Sequence, residues 1–531
     1  MTKPLKVGFI VDDIANVPAW YYQTIKEVEQ RGHDIYFIVL QGTSHKNAKT
    51  SALYRLFRKF EDRWFRSEYD ASKLISIEDL TKNKTFYPTN GVSLSASELN
   101  ELKNLPLDIL YAIDAAISGT GPISEVARYG LWYIRFGFGK YAIYNLPAFW
   151  EVMDDKPVTG SYLLIYKNGK TRIAYQGTTR TVPHSVRNNF NSIAWKSSSY
   201  LPFRLDALGK KRDLFLDSNP TIDLPVLARS KGPGNLKMLW LFLKNGGGYL
   251  RYKLTNRFNK DQFTILFSFT KFNLDNVRNI EFIPVALPSN DVFWADPFVV
   301  EREGIHYIFF EEMVYSKSKA HISFFTIDQN GQVRSPSIVL DQPYHLSYPF
   351  VFEYEGVFYM VPETASNRTV ELYRATKFPD QWEFVMNLIN DVVLMDVTLH
   401  FDKGKWWLFA NSHNHPFVST NDQLFLYYSD ELFSLNWVSH PQNPIATHAE
   451  NCRPAGRIFK ENNKLYRPAQ NNASQQYGYG LKINEIEVLD ENSYKEKEVF
   501  SITPDIFGMK ACHQLDFSSS IVVIDGIVKK D

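Results

Sequence analysis

Glu363 closes a short apolar run, "VFYMVPET", at the point where a strand would end. An acid placed there either caps a turn through Thr364 and Asn367 or reaches a pocket and handles protons. The same choice attaches to a series of polar residues, each at the head of an apolar run. They are Asp296 in "FWADPFVV", Tyr348 in "LSYPFVF", Asp396 in "LMDVTLHF", Arg453 in "NCRPAGRI" and His513 in "ACHQLDFSS". An isolated buried Asp is costly unless it is paired or solvated. Two Asp, one Arg and one His at equivalent positions therefore point to a wet pocket rather than a core. Carboxylates in such a pocket can exchange protons with a substrate. Arg453, and Arg467 in the second "RPA" motif, offer planar forks for a carboxylate or phosphate. Gln470, Tyr477 and Tyr479 lie in a Gly- and Asn-rich segment suited to sugar hydroxyls.

For these residues to converge, the elements carrying them must repeat. The five heads are spaced by roughly 50 to 60 residues, about one four-stranded propeller blade. From about residue 261 the chain alternates apolar and polar residues in short runs broken by Gly or Asn: "HYIFFEEM", "AHISFFTID", "FVFEYEGVFYMV", "LFLYYSD", "IVVIDGIV". Residues 261–531 are expected to form a five-bladed β-propeller, with "DQFTILFSF" closing the ring against the last blade. The innermost strand of each blade faces the channel, which brings distant strand heads together.

Residues 1–205 follow a different rhythm. "KVGFIV", the helical "PAWYYQTIKEVEQRG", "HDIYFIVL" and "LDILYAID" predict an α/β domain with a doubly wound parallel sheet. A polar stretch from about 43 to 100 is expected to be mobile. No G-x-G-x-x-G follows the first strand, so a dinucleotide cofactor is not expected. Residues 206–260 form a basic connector: Lys231, Lys237, Lys244, Arg251, Lys253, Arg257 and Lys260 occur with no acid from 231 to 260, around "MLWLFL". The expectation is a solvated linker with one packed helix; the alternative is peripheral contact with an anionic membrane.

Net charge is +1, which gives no global pull toward nucleic acid. The 15% aromatic content suits β-sheets and also sugar-stacking surfaces. Only Cys452 and Cys512 are present, and no zinc-ligand spacing occurs. The apolar run Val7 to Val11 is too short for a signal peptide, and no stretch approaches the roughly 18 apolar residues of a membrane span. The expected location is cytoplasmic, extending to the inner face of the membrane, with no metal or cofactor.

Two resemblances add to these readings. "WADPFVV" with Glu311-Glu312, and Pro362-Glu363, resemble the five-bladed propellers of arabinanase- and xylosidase-type glycoside hydrolases. That resemblance implies Asp296 as general base, Asp396 as the residue tuning the pair, and Glu363 or Glu311 as acid. Longer motifs, "HLSYPFVFEYEGVFYMVPETASNRTVELYRA", "DVTLHFDKGKWWLFA" and "RPAGRIFKENNKLYRPAQNNASQQYG", together with "VPAW", resemble a bacterial two-part family. Its first domain is formyltransferase-like, and its propeller is similar to the N-terminal domain of plant glucosamine inositolphosphorylceramide transferases.

The formyltransferase core aligns with residues 127–179, but its chemistry does not. The His position falls at Arg135 or Phe136, the Asn position at Tyr133 or Ile134, and the late Asp near Lys170, so a degenerate domain is expected. His184 could replace the lost His, although a loop His is more often structural. "HNH" at 413–415 reads as a loop rim, and Trp406 and Trp407 as structural residues of which one faces the core.

The leading expectation is a transferase of surface polysaccharide or glycolipid biosynthesis. It would move a sugar in the propeller pocket from an activated donor to a carbohydrate or glycolipid, with Asp296, Asp396, Glu363 and Glu311 catalytic. Tyr348, Arg453, Arg467, Gln470 and His513 would bind substrate. The alternatives are a propeller hydrolase of an intracellular oligosaccharide, a non-catalytic glycan-binding or scaffold protein, and last an amino-sugar N-formyltransferase.

Overall fold

In Lys6–Val11 (β1) every residue after Lys6 is buried, which requires a strand covered on both faces. Its alternate side chains feed different cores: Val7, Phe9 and Val11 enter one apolar cluster, and Ile10 the other. The following helix, Ala19–Gln30, buries Trp20, Tyr21, Thr24, Ile25 and Val28 on one face and stops at Gly32, whose φ of 79° suits a residue without Cβ. The chain returns parallel to β1 as Asp34–Gln41 (β2). Further strands are Phe86–Asn90 (β3), Ile109–Ala112 (β4), Leu131–Phe136 (β5), Val158–Lys167 (β6) and Lys170–Arg180 (β7). The sheet order is β3-β2-β1-β4-β5-β6-β7.

The computed structural model describes residues 4–41, 51–65, 67–81, 86–90, 95–113, 120–141, 146–211, 220–222, 233–244, 247, 262–413, 418–473 and 478–528. They fall into two compact units, one within Met1–Thr255 and Asn414–Ser419 and the other within Asn256–His413 and Thr420–Asp531.

The first unit corrects the expectation of a parallel sheet. β1 to β5 pair in parallel, but β5–β6 and β6–β7 are antiparallel, so the sheet is mixed. The β6–β7 reversal is local: Asn168-Gly169, with φ of 52° and 71°, turns β6 directly into β7 as a two-residue hairpin. The 43–100 stretch contains helices at Ala52–Trp64 and Ala96–Lys103, the latter closed by a Ser95/Glu98 capping box. Tyr54 and Phe57 anchor the former. Helix Tyr200–Lys211 runs across the expected boundary at 205, and residues 235–244 are helical. Most of the rest of the 206–260 connector lies outside the described residues. No helix among the described residues is long and apolar enough to cross a membrane.

The second unit is a ring of five sheets. The first four blades begin at Val292–Arg302, Ser347–Tyr354, Met395–Asp402 and Phe459–Glu461, and each adds three antiparallel strands outward. The fifth runs from Leu515–Phe517 through Val522–Val528 to Thr264–Ser268 and Ile283–Pro284. Thr264–Ser268, from the start of the unit, thus pairs with its last strand and closes the ring. Apolar clusters fill the interfaces between successive blades. Both sheet faces are therefore buried: Trp406 packs in one interface and Trp407 in the next, where only one was expected to face a core.

Candidate active site in the propeller channel

The inner strands of the first three blades break register at one equivalent place, between Ala295 and Phe298, Ser347 and Phe350, and Met395 and Thr398. At each bulge the head residue adopts a left-handed backbone: Asp296 at φ 53°, Tyr348 at 44° and Asp396 at 52°. This costs about 1–3 kcal/mol per residue and concentrates at functional sites. The compensation is visible in the backbone N–H groups. Asp296 N donates to Asp525 Oδ2 at 2.9 Å, Tyr348 N to Asp296 Oδ2 at 3.2 Å, and Asp396 N to Glu363 Oε2 at 3.1 Å. The second strands supply a matching set opposite the bulges: Glu311 pairs with Ala295, Glu363 with Ser347 and Asn411 with Met395.

One side of the ring is an ion-pair triad. His513 Nδ1 lies 3.0 Å from Asp525 Oδ1, and Nε2 lies 3.3 Å from Asp296 Oδ1. Burial alone would strip the imidazolium of its proton, but the Asp525 and Asp296 carboxylates outweigh it and hold the His513 pKa at about 10. Asp525 also accepts the backbone N–H groups of His513 and Gln514. Three ligand atoms of Asp296, His513 and Asp525 lie within 4.8 Å of one another, the separation a cation site needs. The protonated His513 supplies the positive charge between the two carboxylates, and a cation there would have to displace that proton.

Beside the triad, burial pushes Glu311 up to about 7; its hydrogen bond with His345 opposes the shift and the Asp296 charge adds to it. His345 Nε2 is 3.4 Å from Glu311 Oε1. The neighbouring Glu312 faces the other way and is used up by Trp294, His321 and Ser323.

The other side is built on Arg453. Its Nε and Nη2 fork Asp396 at 2.5 and 3.0 Å, and Nη1 donates to Asn421 at 2.6 Å. Gln470 Nε2 adds a bond to Asp396 Oδ2 at 3.1 Å. Glu363 stands 3.8 Å from Arg453 Nη2. Its pKa is nevertheless pushed well above the usual carboxylate range, by burial first and then by the Asp396 charge.

Two expected substrate-binding residues are placed elsewhere. Tyr348 contributes only its backbone to the ring. Its ring packs edge-on against Phe298, fully buried, where the hydroxyl meets Thr398 Oγ1 at 2.8 Å and accepts from Gly456 N at 3.0 Å. Arg467 lies three residues before Gln470, hence on the opposite strand face. There it forks Glu496 at 2.9 and 2.7 Å and is 1% exposed. Arg457 forks Asp516 at 2.7 and 2.9 Å and sits over the Phe298 and Phe350 rings, tying three blades together. Gly456 allows this close packing: at φ 131° a Cβ would meet Leu515 O at 1.9 Å. Gly456→Ala is expected to cost about 3 kcal/mol or more, through backbone strain and the displaced strand. The denaturant midpoint of the propeller transition measures it.

Asp525, Asn411 and Arg457 were not singled out from the sequence. The available signal was an acid inside the apolar "IVVIDGIV", which a solvent-facing strand would not explain. His184 has φ 67° and its pKa is lowered by burial; it belongs to the first unit. Tyr477 and residues 414–415 of "HNH" lie outside the described residues.

Residues 281–512 match the family model described as glucosamine inositolphosphorylceramide transferase 1, N-terminal. Over 215 residues the chain is 39% identical to the glucosamine inositolphosphorylceramide transferase 1 of Oryza sativa subsp. japonica, covering 40% of this chain and 28% of the relative. It is 35% identical over 216 residues to the Arabidopsis thaliana protein of the same name, with the same coverage. The chain thus spans 28% of the length of the curated relatives it matches. Among solved structures it is similar to Zg3597, a family 117 glycoside hydrolase of Zobellia galactanivorans, at 12% identity and TM-score 0.33, over 51% of this chain and 92% of that one. A Cellvibrio cellulosa α-L-arabinanase gives 12% identity and TM-score 0.30, over 39% and 77%.

Proposed function

We propose that the propeller transfers a sugar to a glycolipid acceptor, with an amino sugar and an inositol-phospholipid as the substrate classes. The observation that carries this reading is the pairing of unlike carboxyl groups on one ring. Asp296 is ion-paired with His513, and beside it Glu311 has a pKa of about 7. A carboxylate held in an ion pair beside a carboxyl group raised to a pKa of about 7 can activate an acceptor hydroxyl and protonate a leaving oxygen. Asp296 is the base and Glu311 the acid. Asp396, oriented by Arg453 and Gln470, and Glu363 hold the substrate and tune the field. The names of the relatives, and of the family model that matches residues 281–512, support the substrate classes.

The test is incubation of the purified protein with nucleotide-activated amino sugars and inositolphosphorylceramide, followed by mass spectrometry. A gain of one sugar supports transfer. Release of free sugar from unactivated oligosaccharide instead makes the protein a hydrolase. Because an acid donates only while protonated, the transfer rate should fall as pH rises through about 7. Glu311→Gln should remove that limb of the pH profile along with most of the activity.

A second reading rests on length. The curated relatives are far longer than the matched segment, so the transfer named for them can reside outside it. On that reading the ring binds the glycolipid headgroup without turnover. We read the first unit as a formyltransferase-like scaffold without formyl-transfer chemistry. Arg135 and Phe136 stand where the His is needed, and Phe136 is packed between Trp20 and Phe190. The two buried free cysteines agree with action in a reducing compartment, at the cytoplasmic face of a membrane.

A further inference from the structure

Helix Ala52–Trp64 buries Tyr54, Phe57 and Glu61, while Leu56, Phe60 and Trp64 are 58%, 46% and 69% exposed. Helix 235–244 buries Met238 and Leu241, while Leu236, Leu239, Trp240 and Leu243 are 86%, 51%, 56% and 70% exposed. Both helices belong to the first unit and are fastened side by side. Ser51 Oγ donates to Pro233 O at 2.7 Å, Leu53 N donates to Asn235 Oδ1 at 3.1 Å, and the Phe57 and Phe242 rings meet at 5.7 Å. Their buried rows share one apolar cluster. At 3.6 residues per turn, the row Leu56, Phe60, Trp64 runs beside the row of Leu53 and Phe57 that meets the second helix. The two exposed apolar rows therefore flank one seam.

The charges around this seam are mostly basic, with Lys244 paired to Asp155 at 2.6 Å and Asp62 paired to Arg187. Arg55, Lys59 and Arg63, all exposed, form the row adjoining Leu56, Phe60 and Trp64 on its outer side. Lys237 and Lys244 flank the second helix, with Lys237 over the Trp150 ring. The only acids on the two helices are Glu61, which is buried and accepts from Ser185 and Arg187 N, and Asp62, which is paired with Arg187. An apolar face of this size on a water-soluble surface marks an interaction site. Trp, Phe and Leu bordered by Arg and Lys form the chemistry of a helix lying in an anionic lipid interface.

We propose that helices Ala52–Trp64 and 235–244 together form a peripheral docking face for an anionic membrane surface. The rows Leu56-Phe60-Trp64 and Leu236-Leu239-Trp240-Leu243 enter the headgroup region, and Arg55, Lys59 and Arg63 meet lipid phosphates. This surface is independent of the chemistry assigned to the propeller. Its test reads binding, not turnover.

Full-length protein is floated with vesicles of phosphatidylcholine alone or mixed with phosphatidylserine, at low and high salt. Binding to the mixed vesicles should be at least about ten-fold tighter than to neutral ones and should weaken with salt. Leu236→Glu/Leu239→Glu/Leu243→Glu should lose at least about ten-fold, with an unchanged thermal midpoint because these side chains face solvent. Leu236→Glu alone, at the most exposed position, is the fallback if the triple variant melts early. Replacing Arg55, Lys59 and Arg63 by Gln should cost roughly five-fold per residue on anionic vesicles. Equal binding to neutral vesicles, flotation unaffected by the Glu variants, or soluble protein that instead self-associates through this face would each overturn the proposal.

Discussion

Asp296→Asn is expected to lower the rate of sugar transfer by about 10²–10⁴-fold, the span a positioned general base contributes. Asn keeps the shape, but its single carbonyl oxygen can accept either the Tyr348 N–H, now 3.2 Å from Asp296 Oδ2, or the His513 Nε2–H, now 3.3 Å from Oδ1. His513 retains Asp525 at 3.0 Å, so the variant should fold with a lowered thermal midpoint, and rates are compared at a temperature where both proteins are folded. What disappears is the oxygen able to take a proton from an acceptor hydroxyl. The measurement is initial transfer rate against substrate concentration, with glycolipid affinity followed separately. A loss confined to kcat places the base at Asp296. Transfer that persists at the parental rate removes the base from this carboxylate. Binding by both proteins with turnover by neither selects the headgroup-binding reading.

Arg467→Ala is expected to destabilise the propeller by about 3–5 kcal/mol, because it leaves a buried partner charge uncompensated. The carboxylate of Glu496 would keep only the Tyr494 hydroxyl, at 2.6 Å. The carbonyl of Asn451 would lose a donor at 2.7 Å. Arg467→Lys keeps the charge without the two-pronged geometry and should recover part of the loss. Urea unfolding followed by the intrinsic tryptophan signal measures it. Substrate affinity of the protein that remains folded should be unchanged. A raised KM with parental stability would return Arg467 to the substrate. Arg453→Ala should behave differently, since its fork holds Asp396 on the ring itself.

The propeller was readable because its repeat is written in chemistry. A polar residue at a strand head, followed by Pro or an apolar run, recurs at a nearly constant interval. Asp296, Asp396, Arg453 and His513 could thus be grouped before any contact was known. Glu311 and Glu363 could be named as acids at strand ends, but nothing local says that they occupy equivalent registers. Tyr348 and Arg467 carried the same signals as their neighbours and went elsewhere. In one case the ring packed against Phe298 and its hydroxyl was taken by Thr398 and Gly456; in the other an odd offset from Gln470 put the fork on the far face. The hairpin at Asn168-Gly169 was also legible, since Asn-Gly between alternating apolar residues is a strong turn signal, yet the parallel strands before it dominated the expectation of a parallel sheet.

By itself, the sequence determined most strands of the second half and their closure into five blades, but not the helices Ala52–Trp64 and Ala96–Lys103 in the stretch expected to be mobile. Those properties follow from periodicity and spacing, which are local and additive along the chain. Tertiary structure alone decided the state of each group. His513 is held protonated by two carboxylates from different segments, Glu311 is pushed to about 7 by the burial around it, and Arg467 is consumed by a strand 29 residues away. Electrostatic energies inside a protein depend on distance and solvent access, and neither is set until distant strands have packed. The same holds for the apolar rows of Ala52–Trp64 and 235–244. Each reads as an ordinary amphipathic helix, and only their fastening at Ser51–Pro233 and Leu53–Asn235 joins them into one face with a basic rim.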